Sequence, residues 1–232
     1  TYTIKEISAP YGYLLDTKAY NVEVKVNQTA TQAVVNEEPT GTFTLVKKNS
    51  DKSANLKGAE YRVWNNDYDE TFTTNENGEI KVGGLKLGTY NYQETKAPEG
   101  YLLDDTVYSF ELKYKDQNTA VVFASAERTD EEPTGSISII KKDIKTGSVT
   151  QGDAVFEGAV YKVYAKEDIY NKAKTKKFYS NGDLVATRTM NEKGTTEDIT
   201  NLPLGKYVVK EEVAPKGYML DTKAVSYTHL RA

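Results

Sequence analysis

The sequence predicts an all-β chain built from tandem antiparallel β-sandwiches, and three observations carry that expectation. Short runs of alternating apolar and polar residues recur along the chain, bounded by turn signals such as Asn77-Gly78, Gly83-Gly84 and Gly88. The aromatic residues are mostly tyrosine, 18 against 6 phenylalanines and 1 tryptophan, which suits rings half-buried on a pleated sheet. The same blocks also return along the chain, so the organisation is that of a repeat array.

The repetition sets the boundaries. Glu6 opens a block that runs Ala9-Pro10-Tyr11-Gly12-Tyr13-Leu14-Leu15-Asp16. It returns as Glu94 followed by Ala97-Pro98-Glu99-Gly100-Tyr101-Leu102-Leu103-Asp104, and again as Glu211 followed by Ala214-Pro215-Lys216-Gly217-Tyr218-Met219-Leu220-Asp221. A charged, proline-stiffened linker, Asn36-Glu37-Glu38-Pro39-Thr40-Gly41, reappears as Asp130-Glu131-Glu132-Pro133-Thr134-Gly135. Residues 1–39 therefore read as the second half of repeat one, 40–133 as a whole repeat two, and 134–232 as a repeat three that stops before its last strands.

Within repeat two, strands are expected at Gly41–Lys48, Glu60–Asn65, Thr71–Thr74, Glu79–Val82, Thr89–Glu94, Val107–Tyr114 and Thr119–Ala126. Seven strands in about a hundred residues is the arithmetic of a sandwich. Repeat one should carry a strand at Thr31–Val35, and repeat three should begin with a strand ending in Lys141-Lys142. Extra sequence around Ile144–Phe156 and Lys166–Met190 reads as surface insertions, with Glu167–Lys177 a loop or a short helix. The final residues from Val225 break the alternation, resemble adapter read-through, and leave His229 with no ligand role.

Composition removes several function classes. With 38% hydrophobic and 28% charged residues among 232, the chain is neither a disordered tail nor a membrane-inserting segment. A net charge of -4 provides no field to gather nucleic acid. Cysteine is absent, so disulfides and thiolate chemistry are excluded, and one histidine cannot furnish an imidazole-based active site.

Strand alternation places charged groups where apolar ones belong. Phe43, Leu45 and Lys47 share one face, as do Ile137, Ile139 and Lys141. On the facing strands, Tyr2, Ile4 and Glu6, then Tyr90, Tyr92 and Glu94, then Tyr207, Val209 and Glu211, align in the same way. A lone buried charge is costly, so these groups should pair, neutralise or react. From alternation alone, a buried ion pair, a lysine snorkelling to water and a reactive pair all remain open.

The strand Gly41-x-Phe43-x-Leu45-x-Lys47, the run Leu56-Lys57-Gly58-Ala59-Glu60-Tyr61, the turn Gly84-Leu85-x-x-Gly88-x-Tyr90 and the Glu94 to Tyr101 block together resemble the B-type (CnaB, SpaA-like prealbumin fold) domains of Gram-positive pilins and adhesins. The resemblance covers nearly the whole chain. It implies Ig-like or prealbumin-like sandwiches in which a core lysine and an asparagine or aspartate join spontaneously in an isopeptide bond, assisted by a buried glutamate. On that basis Lys47 pairs with Glu94, Lys141 with Glu211, and Glu6 with the acceptor Asn36. For repeat two, the linker register offers Asp130 as acceptor, whereas the register of Val121-Val122 offers Phe123, which has no acceptor chemistry.

The implied reaction needs no cofactor and no metal. Burial disfavours an ammonium, a neutral amine is the nucleophile, and a neutral glutamic acid polarises the acceptor and moves protons as water or ammonia leaves. It is one self-reaction per domain, not enzyme turnover. The implied setting is extracellular, at a Gram-positive cell wall, with neighbouring domains of the same chain as partners. A second reading makes the chain an adhesive module for a host matrix protein or glycoprotein, using Tyr61, Trp64, Tyr68 and Phe72. A third, acid–base or calcium chemistry at Asp67, Asp69 and Glu70, matches no calcium-loop spacing, and these carboxylates read more readily as a solvated turn.

Overall fold

Alternating side chains pack between two sheets in repeat two, and the hydrogen-bond ladders show why. The computed structural model describes residues 1–223 and 225–228, so His229 lies outside the described residues. The chain divides into two compact bodies: Thr1–Glu99 with Leu103–Asp130, and Gly100–Leu102 with the residues from Glu131 onward. All regular elements among the described residues are strands, apart from turns and bends.

In the first body, β1 (Tyr2–Lys5) pairs antiparallel with β2 (Ala19–Val22). Seven further strands follow: β3 (Thr40–Asn49), β4 (Glu60–Trp64), β5 (Asp69–Thr73), β6 (Glu79–Leu85), β7 (Gly88–Lys96), β8 (Val107–Leu112) and β9 (Val121–Asp130). One sheet has the order β6-β3-β9 and the other β5-β4-β7-β8. β9 runs parallel to β3, in register from Thr40 opposite Val121 to Asn49 opposite Asp130. This parallel ladder carries the linker aspartate to the end of the lysine strand.

The core between these sheets takes Phe43, Leu45, Ile80, Val82 and Leu85 from one side and Tyr61, Val63, Tyr90, Tyr92 and Leu112 from the other. Phe43 stacks on Phe110 with centroids 3.8 Å apart. Burial at 25–30 cal/mol per Å² of apolar surface makes these rings the main favourable contribution of the sandwich.

The second body contains β10 (Thr134–Ile137), β11 (Val160–Ala165), β12 (Ile169–Tyr170), β13 (Lys177–Tyr179), β14 (Leu184–Thr189), β15 (Ile199–Pro203), β16 (Lys206–Val213) and β17 (Val225–Thr228). Its sheets are β14-β11-β16-β17, β10-β15 and the hairpin β12-β13. Ile137, Ile139, Phe156, Val163, Ile199, Leu202, Tyr207 and Val209 form most of its core.

Several expectations change. Residues 31–35 form no strand, because the ladder that β9 receives from β3 has no counterpart beside them among the described residues. Tyr2 and Ile4 do not face a core: they are 67% and 43% exposed, since no second layer covers β1 and β2 among the described residues. The stretch Glu167–Lys177 is a loop and not a helix, and it carries the short β12-β13 hairpin, closed by an Asn171 side chain that accepts from the N–H groups of Thr175 and Lys176. Met190 is no insertion residue. It is 1% exposed and exchanges backbone hydrogen bonds with Gly158 and Ala159, as Thr74 does with Gly58 and Ala59.

The opening strand of repeat three is also shorter than expected, with β10 ending at Ile137 and only an isolated bridge, Ile140 to Thr195, beyond it.

Candidate functional site

Three ionisable side chains converge in the core of repeat two. Lys47 enters from β3, Glu94 from β7 and Asp130 from the last position of β9. All three are buried, at 0%, 2% and 2% exposure. Lys47 Nζ donates to Asp130 Oδ1 in a very short contact, lies 3.0 Å from Glu94 Oε1, and donates to the Tyr61 hydroxyl at 2.8 Å. Phe123, the residue offered by the other register, is 76% exposed on β9.

Two glycine turns hold the lysine strands from behind. Gly78, at φ +68°, accepts through its carbonyl from Lys47 N–H at 2.8 Å, and a Cβ there would lie 2.6 Å from the Lys47 carbonyl oxygen. Gly194, at φ +73°, does the same for Lys141 N–H, also at 2.8 Å. Only glycine fits both the left-handed backbone and the close approach.

One cation among two carboxyls leaves a surplus negative charge in a dry core, and the carboxyls respond by holding a proton. Burial pushes Glu94 up to about 7, with Lys47 opposing the rise. Burial likewise raises Asp130 above the usual range, while Lys47 and a hydrogen bond with Glu94 pull it back. Glu94 Oε1 and Asp130 Oδ2 are both buried without an aligned donor. A proton retained by either carboxyl would supply the donor that these two oxygens lack.

Repeat three reproduces half of this arrangement. Lys141 Nζ donates to Glu211 Oε1 at 2.7 Å and to the Tyr161 hydroxyl at 3.3 Å, and Tyr161 itself donates to Glu211 Oε1 at 3.0 Å. The Tyr218 ring covers the lysine at 5.4 Å. No acceptor faces Lys141 among the described residues. Instead a cavity of about 210 Å³ opens beside it, lined in part by Ile139, Tyr161, Glu211 and Asp221.

Repeat one holds the other half. Asn36 Nδ2 donates to Glu6 Oε2 at 2.7 Å and to the Leu14 carbonyl at 2.9 Å, so glutamate and acceptor meet with no lysine beside them among the described residues.

The residues named for the two alternative readings make contacts of their own. Tyr61 is a 2% exposed core ring and a lysine ligand, and Tyr68 and Phe72 pack against the core. Trp64 lies under the Arg62 guanidinium at 4.8 Å, while Asp69 pairs with that same arginine and Tyr68 donates to Glu70. Among the described residues no group of three or more histidine, cysteine or carboxylate side chains is arranged to hold a metal.

The sequence offers Tyr61 only as a ring of the adhesive reading and Tyr161 not at all, and their contacts with the lysines are hidden because a tyrosine in an alternating strand reads as core. Their shared context, Gly58-Ala59-Glu60-Tyr61 and Gly158-Ala159-Val160-Tyr161, is the signal that marks them.

The fold and the lysine–glutamate pairs place the chain among known proteins. The family model described as SpaA, a prealbumin-like fold domain, matches residues 1–38, 41–127 and 135–228. The chain belongs to this family. No curated protein sequence matches it. Among solved structures, the Bacillus anthracis TIE protein is 28% identical with a TM-score of 0.61, covering 97% of this chain; the chain spans 38% of that protein. The group B streptococcus pilus 2b backbone protein is 24% identical with a TM-score of 0.35, over 48% of this chain and 47% of its own. The shaft pilin SpaA from Lactobacillus rhamnosus GG is 14% identical with a TM-score of 0.31, over 82% and 93%.

Proposed function

We propose that this chain is a segment of a structural stalk on a Gram-positive cell surface, made of three successive SpaA-type repeats at 1–39, 40–133 and 134–232, and that repeat two staples itself with a Lys47–Asp130 isopeptide bond. The observation that carries the reading is the buried contact of Lys47 Nζ with Asp130 Oδ1 beside a Glu94 held up to about 7. Membership of the SpaA family supports the structural role.

In this reading Lys47 Nζ is the nucleophile and Asp130 Cγ the acceptor. Glu94 is the proton carrier. The amine attacks Cγ, a C–N bond forms, the Cγ–O bond breaks, and the departing oxygen takes both protons shed by the ammonium and leaves as one water. Glu94 ends in its starting state, so the step is a single self-reaction. Contact between the groups supplies the effective concentration that an amide condensation in water lacks. Repeats one and three carry the same chemistry in halves: Glu6 with Asn36, which would release ammonia, and Glu211 with Lys141.

A cysteine-free exported domain gains in this way the covalent constraint that disulfides give others. The partners are the adjoining repeats of the same chain. Tryptic digestion and tandem mass spectrometry test the assignment: a branched peptide joining the Lys47 and Asp130 segments is expected, and recovery of both only as separate linear peptides would sink it.

A further inference from the structure

The two oxygens of Glu94 are not equivalent. Oε2 accepts the backbone N–H of Asp104 at 3.1 Å, while Oε1 faces Lys47. The same donor recurs ten residues after each glutamate, from Asp16 to Glu6 at 2.6 Å and from Asp221 to Glu211 at 2.8 Å. Each aspartate braces the turn that presents its N–H. Oδ1 accepts from the N–H two residues on: Thr106 at 3.1 Å, Lys18 at 2.9 Å and Lys223 at 2.9 Å. The Oδ2 atoms of Asp104 and Asp16 accept tyrosine hydroxyls, from Tyr108 at 2.9 Å and from Tyr20. Arg128 lies 3.7 Å over the Tyr108 ring and fixes that anchor in turn.

We propose that Asp104 is a positioning residue for the crosslink, whose turn aims a backbone N–H at Glu94 Oε2 and so confines the acid proton to Oε1, the oxygen that faces the reacting pair. The inference rests on the reading of Glu94 as proton carrier. A neutral carboxyl accepts an N–H best on its carbonyl oxygen, so an N–H on Oε2 leaves the hydroxyl at Oε1. There it stands 3.0 Å from the amine that is itself in contact with Asp130. The same atom can then give a proton to the departing oxygen and collect one from Lys47, with no rotation of the side chain between the two steps. The turn N–H recurs in three repeats, and the division between the two oxygens recurs in repeat three, where Lys141 is on Glu211 Oε1 and Asp221 on Oε2; in repeat one Asn36 shares Glu6 Oε2 with the Asp16 N–H.

Two assays on the full chain test this. In the first, intact mass on isolation reads how far the crosslink has formed. Asp104→Asn keeps the Oδ1 acceptor and is expected to be fully crosslinked like the parent. Asp104→Ala loosens the turn and is expected to be isolated partly uncrosslinked, completing roughly tenfold or more slowly.

In the second, carboxyl 13C NMR follows Glu94 in an Asp130→Ala chain, which cannot react. The groups facing Glu94 there are Lys47 from β3, Tyr61 from β4 and the Asp104 turn, with Arg128 reaching the cluster through Tyr92 and Tyr108. The Asp104 N–H stabilises the carboxylate, so adding Asp104→Ala should raise the Glu94 midpoint by about one pH unit relative to Asp104→Asn, which removes the same charge but keeps the turn. If the alanine does not fold, Tyr108→Phe removes one anchor and is read in both assays. Complete crosslinking of the loosened variant at the parental pace, or an unmoved Glu94 midpoint, overturns the proposal. A parent with no crosslink at all overturns the function instead, and the NMR comparison still decides the role of Asp104.

Discussion

Replacing Glu94 with glutamine separates the covalent staple from the packing around it. Glutamine keeps the size of a neutral glutamic acid, accepts the Asp104 N–H, and leaves Lys47 paired with Asp130, but it cannot carry protons. The proposed crosslink would join residues 83 positions apart. For a closed loop of that length the chain-entropy relation gives about 4.5 kcal/mol at 25 °C. In a domain of this size each kcal/mol moves the midpoint by about 4–8 °C, so repeat two of the Glu94→Gln chain should melt roughly 20 °C or more below the parent. Differential scanning calorimetry reads the shift and intact mass confirms that the bond is missing. A variant that still loses water, or one that lacks the bond yet melts within a few degrees of the parent, would refute the reasoning.

Three further outcomes follow from the same geometry. Gly78→Ala should cost more than the about 1–2 kcal/mol of left-handed strain, because its Cβ would press on the Lys47 carbonyl, and should slow crosslinking; Gly58→Ala, at φ +85° in open space, should cost the strain alone and crosslink fully, as chemical denaturation and intact mass will show. In a Lys47→Met chain burial of Glu94 is unopposed by the lysine, so its folded pKa lies above the unfolded value near 4.5. The folded state then holds a proton that the unfolded state releases, and stability should be full below about pH 4.5 and fall by up to about 1.4 kcal/mol per pH unit as pH rises toward the folded pKa. Urea denaturation at pH 5, 6 and 7 measures that slope, and adding Glu94→Gln should reduce it to the share that buried Asp130 contributes. Glu211→Ala strips Lys141 of its carboxylate inside the second body and should destabilise repeat three by about 3 kcal/mol, seen as a lower denaturation midpoint for that body while the parental mass of repeat two is unchanged.

Much of the site was legible because a strand has a period of two. Phe43, Leu45 and Lys47 point one way whatever surrounds them, and the same holds for Tyr90, Tyr92 and Glu94, so the inward lysine and glutamate follow from spacing alone. Asp130 was legible only through the repeated linker, since its place depends on a ten-residue parallel ladder to a strand far away in sequence. Residues 31–35 show the converse. Their pattern suits a strand, yet a strand forms only where a neighbour supplies hydrogen bonds.

The β12-β13 hairpin was hidden for a different reason. Its strands are two and three residues long, too short for periodicity to register, and the Asn171 turn organises them. The Asp104 contribution was the least visible, because its donor is a backbone N–H that no side-chain pattern encodes. Only the return of an aspartate ten residues after Glu6, Glu94 and Glu211 hints at it.

The central claim is that Lys47 and Asp130 are joined, and intact mass of the denatured full chain tests it most directly. The account predicts a mass lower than the sequence mass by one water, restored to the sequence mass in Lys47→Ala after correction for the substitution. A parent chain at its full sequence mass would contradict it.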